Sequence, residues 1–296
     1  MAVEIPYVRE IEFTYGESEQ VSPLTRRVVA ENPSAFTYKG TGTYIIGHGK
    51  VAVIDPGPLD ERHVEALMRA LEGETVTHIL ITHTHSDHSP AAAPLKARTG
   101  AKTYGYGPHG AGAGAGEEDG DMSFVPDVEI RHGDVIEGEG WTVECVHTPG
   151  HTSNHICFAL REEKALFSGD HVMGWSTSIV SPPDGNMSDY MNSLELLLTR
   201  DDETYWPTHG PAIRDPKPFV RAFIAHREDR ENQIIEQLKA GHHRIADMVP
   251  VIYAAVDKRL YPAAARSVFA HMTRLVEQGR VVTDEPVTLG AEYRLP

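Results

Sequence analysis

Cysteine is nearly absent from this chain of 296 residues: Cys145 and Cys157 are the only two, each inside an apolar, strand-like segment. That usage excludes a disulfide framework and a cysteine-ligated zinc site, and predicts two buried free thiols. Long apolar runs are missing too. No segment approaches the ~20 residues of a membrane span. The opening MAVEIPYVREIEF has neither the basic start nor the apolar stretch of a secretory signal. A soluble, cytoplasmic protein without a membrane partner is expected. Basic residues are scarce as well, 27 Lys and Arg against 43 Asp and Glu, for a formal net charge of -16. Such an excess of acid excludes indiscriminate coating of nucleic acid or anionic membrane, because that binding rests on cationic surface. The deficit is uneven: residues 1–210 carry 14 basic and 32 acidic side chains, residues 211–296 carry 13 and 11. The asymmetry predicts two domains with different tasks, a large α/β domain and a smaller partner.

Periodicity gives the outline. FTYKGTGTYIIGHGKVAVIDPG reads as two β-segments around a Gly-rich turn, ending at Asp55-Pro56-Gly57. Residues 59–72, LDERHVEALMRALE, space apolar side chains at helical intervals, and VTHILIT is a short apolar strand. Strand, helix and strand with a polar loop at a strand's carboxyl end is α/β organisation, which places its sites on such loops. The segment GPHGAGAGAGEEDGDM has G-x-G spacings, but it follows no apolar strand and runs into Glu117, Glu118 and Asp119. Those carboxylates would repel phosphate, so a mobile surface loop or lid is expected there. A second β-rich half follows through residue 210. Three helix-like stretches come next, FVRAFIAHREDRENQIIEQLK, IADMVPVIYAAVD and PAAARSVFAHMTRLVEQG, then two β-like runs in RVVTDEPVTLGAEYRL. Three helices and a hairpin outline a winged helix, with the Pro-rich DPKPF as a hinge before it.

Directly after VTHILIT comes THTHSDH, which places His83, His85, Asp87 and His88 within six positions. Holding that many imidazoles and a carboxylate in one loop costs stability unless something coordinates them. Neutral imidazole and carboxylate oxygen suit Zn²⁺, with Mn²⁺ or Fe²⁺ as competitors. Four ligands from one short loop do not converge on a single ion with sensible geometry. Alternate residues of an extended turn face opposite sides, so two ions are expected, His83 and His85 serving one and Asp87 and His88 the other. Three further candidates end apolar strands beside Gly or Pro: His151 in TPGHT, Asp170 in FSGDH and His209 in PTHG.

These motifs, with Asp55 in IDPG, stand in the order of the metallo-β-lactamase superfamily, which the first 210 residues resemble. The resemblance implies a four-layer αββα sandwich in the α/β class. It also implies His83, His85 and His151 on one metal, Asp87, His88 and His209 on the other, and Asp170 bridging both. By the same analogy Asp55 binds no metal and hydrogen-bonds a ligand His. Two such ions share a water, lower its pKa towards neutrality and stabilise charge developing on a carbonyl or phosphoryl oxygen, so hydrolysis is the reaction class. Asp87 then has a catalytic part, orienting the hydroxide and shuttling its proton.

Departures from the family's branches narrow the substrate. Asp170 stands where the best-known zinc β-lactamases carry a cysteine ligand, which disfavours antibiotic hydrolysis. His85 stands where oxygen-reducing di-iron relatives carry Glu, favouring hydrolytic zinc. Between His151 and His209 there is no room for the inserted domain of RNA-processing relatives. The segment DHSPAAA lacks the glycines of a common DHxGG continuation, and it and the helix-like DYMNSLELLL are the expected places for specificity.

HTPGHTSNH, FSGDHVMG, DYMNSLELLL, HGP and the tail from AHREDRENQI together resemble the β-lactamase-like protein 2 group over nearly the whole chain. That group implies a catalytic domain at 1–214 and a small winged-helix-like α+β domain at 219–296. Its members are associated with single-strand RNA cleavage, and related fungal proteins with thioester hydrolysis. The expected activity is therefore a dinuclear-zinc hydrolase of an ester, thioester or phosphodiester. The alternatives are a single-strand-specific endoribonuclease and, less favoured because it would not need seven ligands, a metal- or nucleic-acid-binding regulator. Expected partners are a small acyl substrate or single-stranded RNA. A winged helix also serves dimerisation, which leaves a homo-oligomer open. His155, His171, Tyr190 and Asn192 are secondary candidates near the ligand motifs, while His242 and His243 at a helix end need only a favourable dipole interaction.

Overall fold

A computed structural model describes residues 4–110 and 120–296, so most of the Gly-rich segment expected as a loop or lid lies outside the described residues. Seven strands form the first sheet in chain order: β1 (Ser18–Ser22), β2 (Thr25–Val29), β3 (Gly42–Ile46), β4 (Lys50–Ile54), β5 (Thr75–Leu80), β6 (Lys102–Gly105) and β7 (Val128–Glu129). Pairing is antiparallel from β1 to β4 and parallel from β4 to β7. The second sheet also keeps chain order, with β8 (Val135–Gly138), β9 (Trp141–His147), β10 (Ile156–Leu160), β11 (Ala165–Gly169), β12 (Thr204–Pro207) and β13 (Ile213–Arg214). Only its β11–β12 pair is parallel.

The period-2 geometry of strands assigns alternate residues to different layers. On β3 and β4, Tyr44, Ile46, Ala52 and Ile54 face the second sheet and meet Trp141, Phe158 and Phe167. Their neighbours Ile45, Val51 and Val53 face outward onto Ala66 and Leu67 of α1 (Glu61–Ala70) and Leu95 of α2 (Ala92–Thr99). On β10, Ile156 and Phe158 join the inter-sheet core. Cys157 and Ala159 turn to the other face, against Met191 and Leu194 of α3 (Met187–Leu198). The result is the expected αββα sandwich. Cys145 and Cys157 are buried free thiols in separate cores, each pushed up to about 12, chiefly by burial.

The C-terminal region is less separate than its composition suggests. Helix α4 (Pro216–Lys239) belongs to two cores: Phe219, Val220 and Phe223 pack with α3, whereas Ile234 and Leu238 pack with α5 (Ile245–Ile252) and α6 (Tyr261–Glu277). The expected hinge DPKPF is the helix's own start, since proline's fixed φ suits a first turn and Phe219 is buried. Ala270 of α6 lies in the α3–α4 core, and Ser188 of α3 donates to Glu277 of α6 at 2.6 Å. The tail's two β-like runs meet in a single antiparallel bridge, Val282 with Arg294. The three helices and this reduced wing form the winged-helix unit.

Candidate metal centre

Loops at the carboxyl ends of β5, β9, β11 and β12 meet at one edge of the sandwich. After β5 the chain turns tightly, with His88 N–H donating to the His85 carbonyl at 3.0 Å. Three groups of donor atoms result, each within 4.8 Å: His83, His85 and His151; His83, His88 and Asp170; Asp87, His88 and His209. All seven residues named from the motifs are therefore together. His83 Nε2 lies 3.0 Å from His85 Nδ1, which lies 3.1 Å from His151 Nε2. Asp170 Oδ1 is 3.6 Å from His88 Nε2 and 3.5 Å from His209 Nε2, while its Oδ2 is 3.8 Å from His151 Nε2. Its carboxylate thus spans the first and third groups. Asp87 Oδ2 is 3.0 Å from His209 Nε2 and 3.6 Å from His88 Nε2.

The opposite ring nitrogens fix the tautomers. His88 Nδ1–H donates to Asp55 Oδ2 at 2.9 Å, His151 Nδ1–H to the Ile179 carbonyl at 2.6 Å and His209 Nδ1–H to the Gly40 carbonyl at 3.1 Å. The Thr82 hydroxyl donates to Asp55 Oδ2 at 2.7 Å, so at 3.1 Å it accepts from His83 Nδ1–H. Asp55 therefore orients two imidazoles, one directly and one through Thr82. Fully buried, it also accepts from Thr82 N–H at 2.8 Å and from the Thr208 hydroxyl at 3.1 Å. A buried carboxylate costs several kcal/mol unless its lone pairs are met, and these donors meet them.

With Nδ1 of His83 and of His151 protonated, their Nε2 lone pairs point at one spot beside His85 Nδ1, which holds at most one proton. Donors arranged tetrahedrally ~2.0–2.1 Å from zinc stand about 3.3 Å apart, so the spacing suits an ion. His88 Nε2 and Asp170 Oδ1 are buried with no hydrogen-bond partner among the described residues. Buried polar atoms left in that state are costly, and a cation satisfies both. The residues fit a divalent metal.

The two halves differ in charge. Burial, with His88 next, holds His83 well below the ordinary imidazole range, and burial, with His151 next, holds His85 at about 3. For His88, burial is outweighed by Asp87, Asp170 and Asp55, which raise it well above that range. His209 is raised against burial by Asp170 and by its hydrogen bond with Asp87. Burial likewise loses at Asp87, to His88 and His209, and at Asp170, to His209 and His88, so both carboxyls are lowered. His83 and His85 are neutral donors in one half, while ion pairs fill the other.

Motif reading named Asp55, His155 and Tyr190 near the ligands but missed Thr82 and Arg227. His155, a secondary candidate, is fully buried: it donates from Nδ1 to the Thr148 hydroxyl at 2.9 Å and accepts the Asp170 N–H at Nε2, 3.2 Å away. It aims Asp170. A Cβ on Gly169, at φ +52°, would come within 2.5 Å of that nitrogen. Tyr190, also fully buried, donates to the His171 carbonyl at 2.8 Å, which also receives the Ser178 hydroxyl at 2.8 Å. Arg227 of α4 donates to the Ser178 carbonyl, next to the Ile179 carbonyl that holds His151, with its guanidinium over the Tyr190 ring. No local signal marks Arg227, because only packing brings α4 there. His171 is buried outside the donor groups, and Asn192 is exposed on α3. The cleft over the centre, about 660 Å³, is lined by neither SPAAA nor α3, the two segments expected to carry specificity. His242 and His243 bond to Gln237 and to the Tyr293 carbonyl, within the C-terminal module.

This architecture is that of a known class. The sequence matches the metallo-beta-lactamase superfamily over residues 39–209 and the beta-lactamase associated winged helix domain over 245–286. The chain belongs to the metallo-beta-lactamase superfamily and is a hydrolase of that family, whose fold is one for binding divalent metal. It is 32% identical over 266 residues to "Beta-lactamase-like protein 2 homolog" of Drosophila melanogaster, covering 86% of this chain and 88% of that protein. It is also 32% identical, over 79% of this chain and 74% of the relative, to "Atrochrysone carboxyl ACP thioesterase" of Claviceps purpurea. Among solved structures, a beta-lactamase domain protein from Burkholderia ambifaria superposes with TM-score 0.80 at 20% identity, over 99% of this chain and 97% of that one.

Proposed function

We propose that the protein is a dinuclear-zinc hydrolase of small acyl esters or thioesters. The observation that carries this reading is the Asp170 carboxylate, one oxygen towards His88 and His209 and the other towards His151. On this reading His83, His85 and His151 hold one ion, Asp87, His88 and His209 the other, and Asp170 both. These residues would hold two divalent ions, which would supply a water of lowered pKa and stabilisation of negative charge developing on the substrate's carbonyl oxygen. Mn²⁺ and Fe²⁺ compete with zinc for such donors. Asp55 and Thr82 keep the donor nitrogens of His88 and His83 aimed inward, and His155 does the same for Asp170. Asp87, at the cleft floor, orients the attacking water and takes part in moving its proton. The catalytic unit is residues 1–214, and residues 219–296 form the winged-helix module.

The acyl substrate is favoured by the cleft's apolar side chains, Phe36, Met173 and Ile179, and by the thioesterase relative. Single-stranded RNA is the second reading, favoured by the winged helix and by the shift to 13 basic and 11 acidic residues in 211–296. Elemental analysis after zinc supplementation is expected to find about two equivalents, and fewer than ~1.5 would sink the dinuclear proposal. Assays on acyl thioesters and on unstructured RNA, each against Asp170→Ala, separate the substrates: turnover that persists in the variant is contamination.

A further inference from the structure

The cleft is not built by the catalytic unit alone. Ala263, Arg266 and Ser267 of α6 line it together with the candidate ligands. Their spacing of i, i+3 and i+4 puts them on one face of the helix. Ala264, Val268 and Met272 form a different stripe, buried in the core of the C-terminal module. The helix is a firm platform. Ala270 packs in the α3–α4 core, Glu277 accepts from Ser188 at 2.6 Å, and Arg274 is paired with Glu231 of α4 at 2.5 Å.

Two chemistries meet in this cleft. Phe36 and Ile179 remain 55% and 45% exposed although large and apolar, and both line it with Met173. Such surface at the mouth of a site suits an acyl chain. Among the described lining residues Arg266 is the only Lys or Arg, while Asp87 and Asp170 face the metal centre. In a chain of net charge -16 an anionic substrate is repelled at a distance, so a cation on the wall decides where its charge rests.

We propose that α6 is the substrate-selecting wall of the active site, with Arg266 receiving an anionic group of the acyl substrate and Phe36, Met173 and Ile179 taking the acyl chain. This rests on the acyl reading above. It gives the C-terminal module a task in substrate selection that needs no nucleic acid.

The test is calorimetric binding of two non-hydrolysable thioethers to the zinc-loaded full chain, S-octyl coenzyme A, which is phosphorylated, and S-octyl-N-acetylcysteamine, which is neutral. Charge reversal at an exposed ion pair in Arg266→Glu is expected to lower the ratio of the two affinities about tenfold, through loss of the anionic probe. Ala263→Trp, which puts an indole on the wall, is expected to weaken both. An unchanged ratio in Arg266→Glu, an Ala263→Trp variant that binds both probes like wild type, or a wild type that binds neither overturns the proposal. The acyl reading fails separately, if zinc-loaded wild type does not hydrolyse the small neutral ester S-phenyl thioacetate.

Discussion

Two buried polar clusters, one at the sandwich edge and one in the C-terminal module, look alike in composition and differ in what completes them. In the module, Glu231 of α4 is buried, with Arg274 at 2.5 Å, Arg280 at 2.9 Å and His271 Nδ1 at 3.5 Å. Both carboxylate oxygens have cationic partners from elsewhere in the chain, so the cluster staples α4 to α6 and to the segment after it. At the sandwich edge, His88 Nε2 and Asp170 Oδ1 have no such partner, though the nitrogens behind the donor atoms are held by Asp55, Ile179 and Gly40. The chain itself meets the charge of the Glu231 carboxylate, although both His271 ring nitrogens lack a hydrogen-bond partner among the described residues, and that cluster is structural. One supported from behind and open in front is built for something the chain does not supply.

Substitutions test that contrast. Asp170→Ala is expected to have the largest effect, with metal content falling to about one equivalent or less and hydrolysis dropping by at least the ~10²–10³-fold that follows loss of one preorganised electrostatic group. Elemental analysis and thioester turnover read it, and full metal content would break the bridging assignment. Asp55→Asn keeps the shape but weakens the acceptor behind His88 and Thr82, so zinc affinity measured by chelator competition is expected to fall ~10–100-fold. Glu231→Gln belongs to the other cluster. It should cost ~1–2 kcal/mol because Arg274 and the half-exposed Arg280 lose the charge of their buried partner, lowering Tm by roughly 2–8 °C with zinc content unchanged. A change in zinc content there would erase the contrast. Arg227→Met removes the donor to the Ser178 carbonyl beside the loop that holds His151, and a zinc affinity about tenfold lower is expected, with Arg227→Lys partly restoring it.

Stability against pH is a separate readout. Burial holds His63, His226 and His271 each at about 4, below an unfolded value of about 6.5. Between those values the unfolded chain binds more protons than the folded one, so stability is present above about 6.5 and is lost as pH falls towards 4. Urea midpoints at pH 7 and pH 5 measure it, and His271→Asn should reduce the difference by the share of one of the three.

Much of the site was legible because metal chemistry restricts residue types and strand ends fix where they stand. THTHSDH, TPGHT, SGD and PTHG each carry their own turn-forming Gly, Pro or Ser next to the donor, so all seven candidates could be named one loop at a time. The helices α1, α4, α5 and α6 were legible for the same local reason, a 3.6-residue apolar period. SPAAA and α3 are near the ligands in sequence, but neither lines the cleft, whose walls come from segments far from the ligand motifs, Phe36 and Arg266 among them.

The sequence by itself determined the metal-binding chemistry and the C-terminal helices, since each rests on residue type at short spacing, while the layer architecture was implied by the resemblance of its motifs, in their order, to the superfamily. Only the tertiary structure decided that His85 offers Nδ1 where its neighbours offer Nε2, that Asp55 reaches His83 through Thr82, and that α4 joins two cores. It alone placed Arg227 beneath the site and Arg266 beside it. The physical reason is the same in each case: these contacts join residues tens to hundreds of positions apart, and their geometry is set by how layers pack, which no local spacing encodes.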